Sequence, residues 1–296
     1  MPVRDELGKR MKTYEAVPQT KLVRRMPVAI RIDGKAFHTF TRGMQKPFDE
    51  VLIKSMQETM QYLCKNIQGC ILGYTQSDEI TLILVDYKEL NTSAWFDNEV
   101  QKICSISSSM ATMAFNRAFA KNVDEWGRST FPGWDDGGTN EELDENLVKL
   151  NDVYQATIEK GAMFDSRCFN IPKEEVANLI YWRQLDATRN SIQMVGQANF
   201  SHNELQGKSC NQIQDMLHEQ KGINWNNYPT TQKRGSCCVK NGREDKYYSA
   251  VLQKECTRGI ILRDPDQSER VWIIDNEIPI FKGEDRRYIE ELIWYF

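Results

Sequence analysis

ILGYTQSDEITLILVD, residues 71–86, decides the fold. Two short runs, ILGYTQ (71–76) and EITLILVD (79–86), are rich in apolar, β-branched and aromatic residues and read as strands. Only a short polar turn around Ser77 and Asp78 separates them, so they are antiparallel neighbours in one hairpin. Upstream, FDEVLIKSMQETMQYLCKNI (48–67) carries apolar residues near the 3.6 spacing of a helix. Before it, PVAIRI and Asp33 (27–33) read as a buried strand, and LGKRMKTYEA (7–16) as an N-terminal helix. Downstream, NEVQKICSISSSMATMAFNRAFAKN (98–122) reads as a further helix. A polar, Gly-rich, acidic stretch from about 127 to 160 reads as a loop or irregular insert. GAMFDSRCFNI (161–171) is then a strand, opening toward a long helix from Lys173. The order β-α-β-β-α-β is the split, ferredoxin-like arrangement, in which the first strand lies beside the hairpin. The expected fold class is therefore α+β.

This topology brings RIDGKAFHTF (31–40) to the hairpin. Asp33 and Gly34 stand where the first strand ends, and Asp78 and Glu79 stand at the hairpin bend, on the same sheet edge. Carboxylates held that close are costly unless one is protonated or a cation lies between them. Hard oxygen ligands without His or Cys suit magnesium, which binds through one or two carboxylates and keeps sites for waters and phosphates. Gly34, lacking a Cβ, leaves room for a triphosphate and a metal at the backbone. From spacing alone, the same residues fit an ordinary turn and a solvated bend equally well.

Composition bounds the function. A chain of 296 residues, 40% hydrophobic, can bury a sizeable core. No apolar run approaches a membrane span, and the start MPVRDELGKRMKTYE is charged where a secretory signal would be apolar, so a cytoplasmic location is expected. Eight cysteines contain no CxxC, which points to reduced, structural thiols. With net charge −4, a nucleic-acid partner would have to be met by local basic patches or bridging metal ions.

RIDGKAFHTF, KPFDE (46–50), GYTQSDEITLIL (73–84), FDSR (164–167) and WRQLD (182–186), in that order, resemble the tRNA-histidine guanylyltransferase superfamily, including its guanylyltransferase-like tRNA-repair polymerases. MKTYE (11–15) and INWNNY (223–228) are similar to family stretches too, and the resemblance covers roughly residues 5–240. It implies a polymerase- or cyclase-like palm that adds nucleotides to the 5′ end of tRNA by two-metal nucleotidyl transfer, with two Mg2+ ions as cofactors and ATP and GTP as substrates. Dimers or tetramers are expected, and a membrane is not. On this resemblance Asp33 and Asp78 are catalytic metal ligands, the Gly34 carbonyl completes the site, and Glu79 is the acidic neighbour that supports the turn or the site's electrostatics. The run Asp33, Gly34, Lys35, Ala36, Phe37 and His38, with Ser77, matches the nucleotide-binding segment. His38 is placed to meet a base or to pack beside Phe37 and Phe40.

Further positions follow the same resemblance. Arg31, two residues before Asp33 on the same strand face, is a triphosphate contact or a salt-bridged strand residue. Lys46 stands as a phosphate contact and Asp49 as a helix cap or positioning residue. Lys102 matches a triphosphate-binding lysine, but Glu99 occupies a place that is basic in the guanylyltransferases, which weakens the expected activation pocket. Arg167 contacts RNA or an activated phosphate, or pairs with Asp165. Guanylyltransferases that recognise tRNA-histidine carry His-Ile-Asn shortly after WRQxD. Here Thr188 and Arg189 fill the first two places and only Asn190 matches. That departure resembles the repair branch, so template-dependent 3′-to-5′ addition is expected, with single-guanylate addition to tRNA-histidine as the alternative. A nucleotide cyclase-like enzyme and a silent RNA-binding protein are more remote.

The expected organisation is a catalytic palm-like unit with helical additions (1–222) and a C-terminal strand-rich extension (223–296). In the extension KYYSAVLQ (246–253), RGIILRD (258–264) and RVWIIDNEIPIF (270–281) alternate like strands, and EDRRYIEELIWYF (284–296) reads as a closing amphipathic helix.

Overall fold

The computed structural model describes residues 2–131, 144–240 and 271–294. The chain opens with helix α1 (Pro2–Ala16), followed by β1 (Val28–Gly34), α2 (Glu50–Asn66), β2 (Cys70–Gln76), β3 (Glu79–Leu84) and α3 (Val100–Thr130). Then come α4 (Glu145–Lys160), β4 (Phe164–Asn170), α5 (Lys173–Asn199), α6 (Cys210–Lys221), β5 (Ser236–Lys240), β6 (Trp272–Asp275) and α7 (Arg287–Trp294). The strands form one antiparallel sheet in the order β4-β1-β3-β2-β5-β6. Its first four strands are the split β-α-β-β-α-β order that the hairpin predicts, and β5 and β6 extend the same sheet past β2.

Side chains alternate along a strand, so each face of the sheet takes every second residue. Val28, Ile30 and Ile32 of β1, with Ile80, Leu82 and Leu84 of β3, are buried together with Met56, Met60 and Leu63 of α2 and Phe115 and Phe119 of α3. The opposite face buries Ala29, Ile83, Tyr74 and Cys237 with Val176 and Ile180 of α5 and Ile289 and Ile293 of α7. Arg31 and Asp33 follow Ala29 in the alternation and so share the α5 side. Further along α5, Ile192 and Val195 pack with Ile213 and Leu217 of α6 and with Trp225, whose indole Nε1 donates to Ser191 Oγ at 2.9 Å.

One sequence expectation is corrected. The stretch 127–160 is not wholly a loop: α3 continues to Thr130, and α4 occupies Glu145–Lys160. Asp144 caps α4 by accepting from Asn146 N at 2.8 Å, and Gly161 in a positive-φ conformation ends it. Leu150, Tyr154 and Thr157, spaced four and three apart, form its buried stripe. Tyr154 meets the rings of Phe119 and Trp126 edge-on. The acidic, amide-rich composition masks that stripe. In the C-terminal part, RVWIIDNEIPIF supplies β6 and α7 forms as expected, whereas KYYSAVLQ and RGIILRD lie outside the described residues. Among the described residues, no helix is long and apolar enough to cross a membrane. Their seven cysteines are free thiols, with Cys64, Cys70, Cys237 and Cys238 buried.

Candidate active site

The register puts the predicted carboxylates at one end of the sheet. Asp33 of β1 lies opposite Glu79 of β3 on one side and Asp165 of β4 on the other. One step inward, Arg31 lies opposite Thr81 and Arg167. The hairpin closes onto β1 through the Gly34 N–H, which donates to the Asp78 carbonyl at 3.1 Å. Ser77 takes a left-handed conformation (φ 49°), and its hydroxyl donates to Asp78 Oδ1 at 3.0 Å. Asp33, Gly34, Ser77, Asp78, Glu79, Arg31 and Arg167 are thus gathered from three strands and one turn.

Charge within this group is unevenly neutralised. Glu79 accepts from Arg31 at 3.2 Å and from Arg183 of α5 at 2.6 Å, with Gln76 Nε2 at 3.3 Å. Asp165 pairs with Arg167 at 3.1 Å. Among the described residues, neither Asp33 nor Asp78 has an ion-pair partner. Burial, then the charges of Glu79 and Asp165, push the Asp33 carboxyl above its usual range, against smaller opposing pulls from Arg167 and Arg31. Burial also pushes Asp78 up to about 6. Hydrogen bonds from its own backbone and Ser77 oppose that shift, and the charges of Asp33 and Glu79 add to it. Two desolvated, mutually repelling carboxylates beside a backbone carbonyl are a donor set of hard oxygens, the chemistry that fits Mg2+. No group of three or more His, Cys, Asp or Glu side chains converges in metal-ligating fashion among the described residues. Mg2+ differs from zinc in not needing such a cage, because phosphates and waters complete its octahedron.

Gly34 has a reason beyond the one its sequence suggests. A Cβ there would lie 2.2 Å from Cδ2 of Phe37, whose ring folds back across the strand end. Lys35 N donates to the Met163 carbonyl at 2.8 Å, and left-handed Ala36 (φ 55°) starts the single helical turn Phe37–Phe40. Phe37 and Phe40 are buried and their rings stack at 4.8 Å, with Phe37 also packed on Phe115 and Phe164. Lys35, Ala36 and His38 face solvent. Phe37 is therefore the packing anchor of the segment, and the exposed residues are the ones open to a ligand.

The remaining predicted residues are placed differently. Asp49 is a helix cap: its carboxylate accepts from Leu52 N at 2.9 Å, Gln45 N at 3.1 Å and the Tyr154 hydroxyl at 2.7 Å. Lys46, three residues before it, is exposed. Lys102 sits on the first turn of α3 and pairs at 3.2 Å with Glu99, itself only 8% exposed. Asn190 lies on α5. Lys46, Lys102 and Asn190 make no hydrogen bond or ion pair with the carboxylate group among the described residues.

Sequence reasoning passed over Arg183. It is 4% exposed and grips Glu79 and Asp186, the latter at 2.8 Å. The signal was present: Val176, Ile180, Arg183 and Ala187 recur at helical spacing, and an arginine in a buried stripe needs carboxylate partners.

A four-stranded antiparallel palm with uncompensated carboxylates at its hairpin end defines the class of fold. Residues 8–172 match the sequence pattern of the tRNAHis guanylyltransferase family. The chain belongs to that family of nucleotidyltransferases. A bacterial tRNA(His) guanylyltransferase-like protein solved in complex with ATP is similar over 97% of this chain and 99% of its own, at 38% identity and a TM-score of 0.73. A complex with GTP gives 37% identity, 98% and 99% coverage, and a TM-score of 0.69. The Saccharomyces cerevisiae tRNA(His) guanylyltransferase is 27% identical over 73% of this chain and 83% of its own.

Proposed function

We propose that this protein adds nucleotides in the 3′-to-5′ direction to the 5′ end of tRNA, choosing each by pairing with the opposite strand. The incoming nucleotide's 3′-hydroxyl gives up its proton to solvent and attacks the activated 5′ phosphate of the RNA. The new P–O bond forms as the bond to the leaving group breaks, releasing a nucleoside monophosphate from an end activated by a nucleoside triphosphate or pyrophosphate from a 5′-triphosphate end. Asp33, Asp78 and the Gly34 carbonyl would hold the magnesium, which supplies charge neutralisation for the transferring phosphate and acidifies the attacking hydroxyl. The protein's own part is positioning. Lys35, Ala36 and His38, with Ser77, are the exposed residues offered to the nucleotide. Arg31 can turn from Glu79 to a triphosphate, because Arg183 keeps Glu79 paired when Arg31 leaves. Arg167, its side chain 55% exposed and among the described residues paired only with the similarly exposed Asp165, is available to RNA phosphate.

The observation that carries the repair branch is Thr188-Arg189 in place of His-Ile. Thr188 bonds back to the Gln184 carbonyl at 3.0 Å and Arg189 pairs with Asp186, so neither side chain offers the family's histidine-tRNA pattern. The likeness to a guanylyltransferase-like protein along nearly the whole chain supports nucleotidyl transfer to tRNA, which both branches share. The test is to supply a 5′-truncated tRNA, change the base opposite the missing position, and sequence the product. The added nucleotide should follow the template base on tRNAs of several identities. Guanylate added whatever that base, and only to tRNA-histidine, would establish single-guanylate addition instead.

A further inference from the structure

Trp182 is 52% exposed, although Ile180 and Arg183 beside it on α5 are buried. Two guanidinium groups lie over its ring, Arg183 Cζ at 4.5 Å and Arg31 Cζ at 5.4 Å from the centroid. Arg31 is two residues from Asp33 on the same strand face, and Arg183 grips Glu79. The indole therefore borders the carboxylate group, held by cations that the same group orients. Three and seven residues on, on the same side of the helix, stand Leu185 (49% exposed) and Arg189 (side chain 61% exposed). From Trp182 to Arg189 this strip runs about 10 Å along the helix, toward the part of α5 that packs on α6.

We propose that Trp182 is a stacking platform for the 5′-terminal base of the RNA, with Arg189 meeting a phosphate further along the strand. The proposal rests on the RNA-extension reading above. An aromatic face accepts every base, since each has a π-face, and so holds a strand without reading its sequence. That tolerance is what an enzyme needs when the terminal base differs from substrate to substrate. The length of the strip favours the RNA over the incoming nucleotide: a single nucleotide at the hairpin end has no use for cations a further turn or two along α5. Along the strip itself the exposed cation is Arg189, which shares Asp186 with the buried Arg183 and so can turn to a phosphate without stripping that carboxylate.

The test compares wild type, Trp182→Leu and Trp182→Phe, each checked for folding by circular dichroism, in steady-state extension of a 5′-truncated tRNA. Trp182→Leu should raise KM for the RNA about tenfold and leave KM for the nucleotide within about twofold, with Trp182→Phe restoring most of the loss. A rise confined to the nucleotide KM would place the incoming base on the ring and overturn the assignment. A fall in kcat with both KM values unchanged would make Trp182 a brace for Arg31, and an unaltered enzyme would leave it no role; either result also overturns it. RNA affinity measured by fluorescence anisotropy separates this proposal from the reading beneath it. If wild-type protein fails to extend RNA, the extension reading falls. About tenfold weaker RNA binding by Trp182→Leu would still support the platform, and equal binding would overturn it.

Discussion

Replacing Asp78 with asparagine should make the metal-free protein more stable while removing its activity. Burial holds the Asp78 carboxyl at about 6 in the folded chain, against an ordinary 3.8. The folded state therefore binds the proton more tightly than the unfolded state between those values. Stability from this group is complete below about 4, declines as pH rises, and is lost above about 6. A rise of about two units corresponds to roughly 3 kcal/mol at pH 7, or about 2 kcal/mol once the hydrogen bonds lost from Ser77 and the backbone are allowed for. Asparagine cannot ionise, so Asp78→Asn should escape that penalty and melt about 3 °C above wild type in EDTA at pH 7. The gap should close as pH is lowered toward 4. Magnesium should raise the wild-type melting temperature at pH 7 and leave that of the variant unchanged. Differential scanning calorimetry at several pH values, with and without magnesium, measures all of this. Equal melting temperatures for variant and wild type in EDTA at pH 7 would refute the reasoning, because Asp78 would then not be a desolvated, uncompensated carboxylate.

Asp33→Ala and Asp78→Ala should each abolish nucleotide addition with an unaltered circular dichroism spectrum, and near-normal turnover in either would exclude the metal-ligand assignment. Arg183→Met removes a buried cation but leaves Glu79 to Arg31 and Asp186 to Arg189, so its cost should sit near 2–3 kcal/mol, below that of stripping a buried charge of every partner, read as a lowered denaturation midpoint in urea. Gly34→Ala forces the Phe37 ring aside and should cost about 1–3 kcal/mol by the same measurement; an unchanged midpoint would mean that the ring moves freely. Because Glu99 holds Lys102, tRNA bearing a 5′-triphosphate should be extended faster than 5′-monophosphate tRNA in single-turnover assays, and equal rates would show that other cations suffice for activation.

Much of this was legible in the sequence because it rests on local pattern. The hairpin at Ser77-Asp78 and the strand ending at Asp33 are short-range signals, and the order of elements then dictates that the two carboxylates meet. Capping by Asp49 is local in the same way. What the sequence hid depends on packing between distant segments. The stripe of α4 is visible only when its polar residues are seen to face solvent. The hold of Arg183 on Glu79 depends on where α5 crosses the sheet end, which no local pattern fixes. Gly34 was legible as an open backbone position, but the ring that needs the space comes from a turn whose left-handed start, at Ala36, the sequence does not announce.

The distribution of cations is the most informative property of the sheet end. Asp33, Asp78, Glu79, Asp165 and Asp186 cluster there, and Arg31, Arg167, Arg183 and Arg189 serve only three of them. Arg31 stands two residues from Asp33 on its own strand face, yet its guanidinium pairs with Glu79, which Arg183 already neutralises. Asp33 and Asp78 are left with raised proton affinities. Such an arrangement costs stability in the free protein, and a ligand that binds only the folded state offsets that cost in proportion to its affinity. On the proposed function, a divalent cation accompanied by a triphosphate would do so more completely than either alone, the cation relieving the carboxylates and the phosphates drawing on Arg31. Linkage then requires each to tighten the binding of the other by the same factor. On the proposed reading, the lack of counter-ions at Asp33 and Asp78 among the described residues would make binding of cation and nucleotide a joint event.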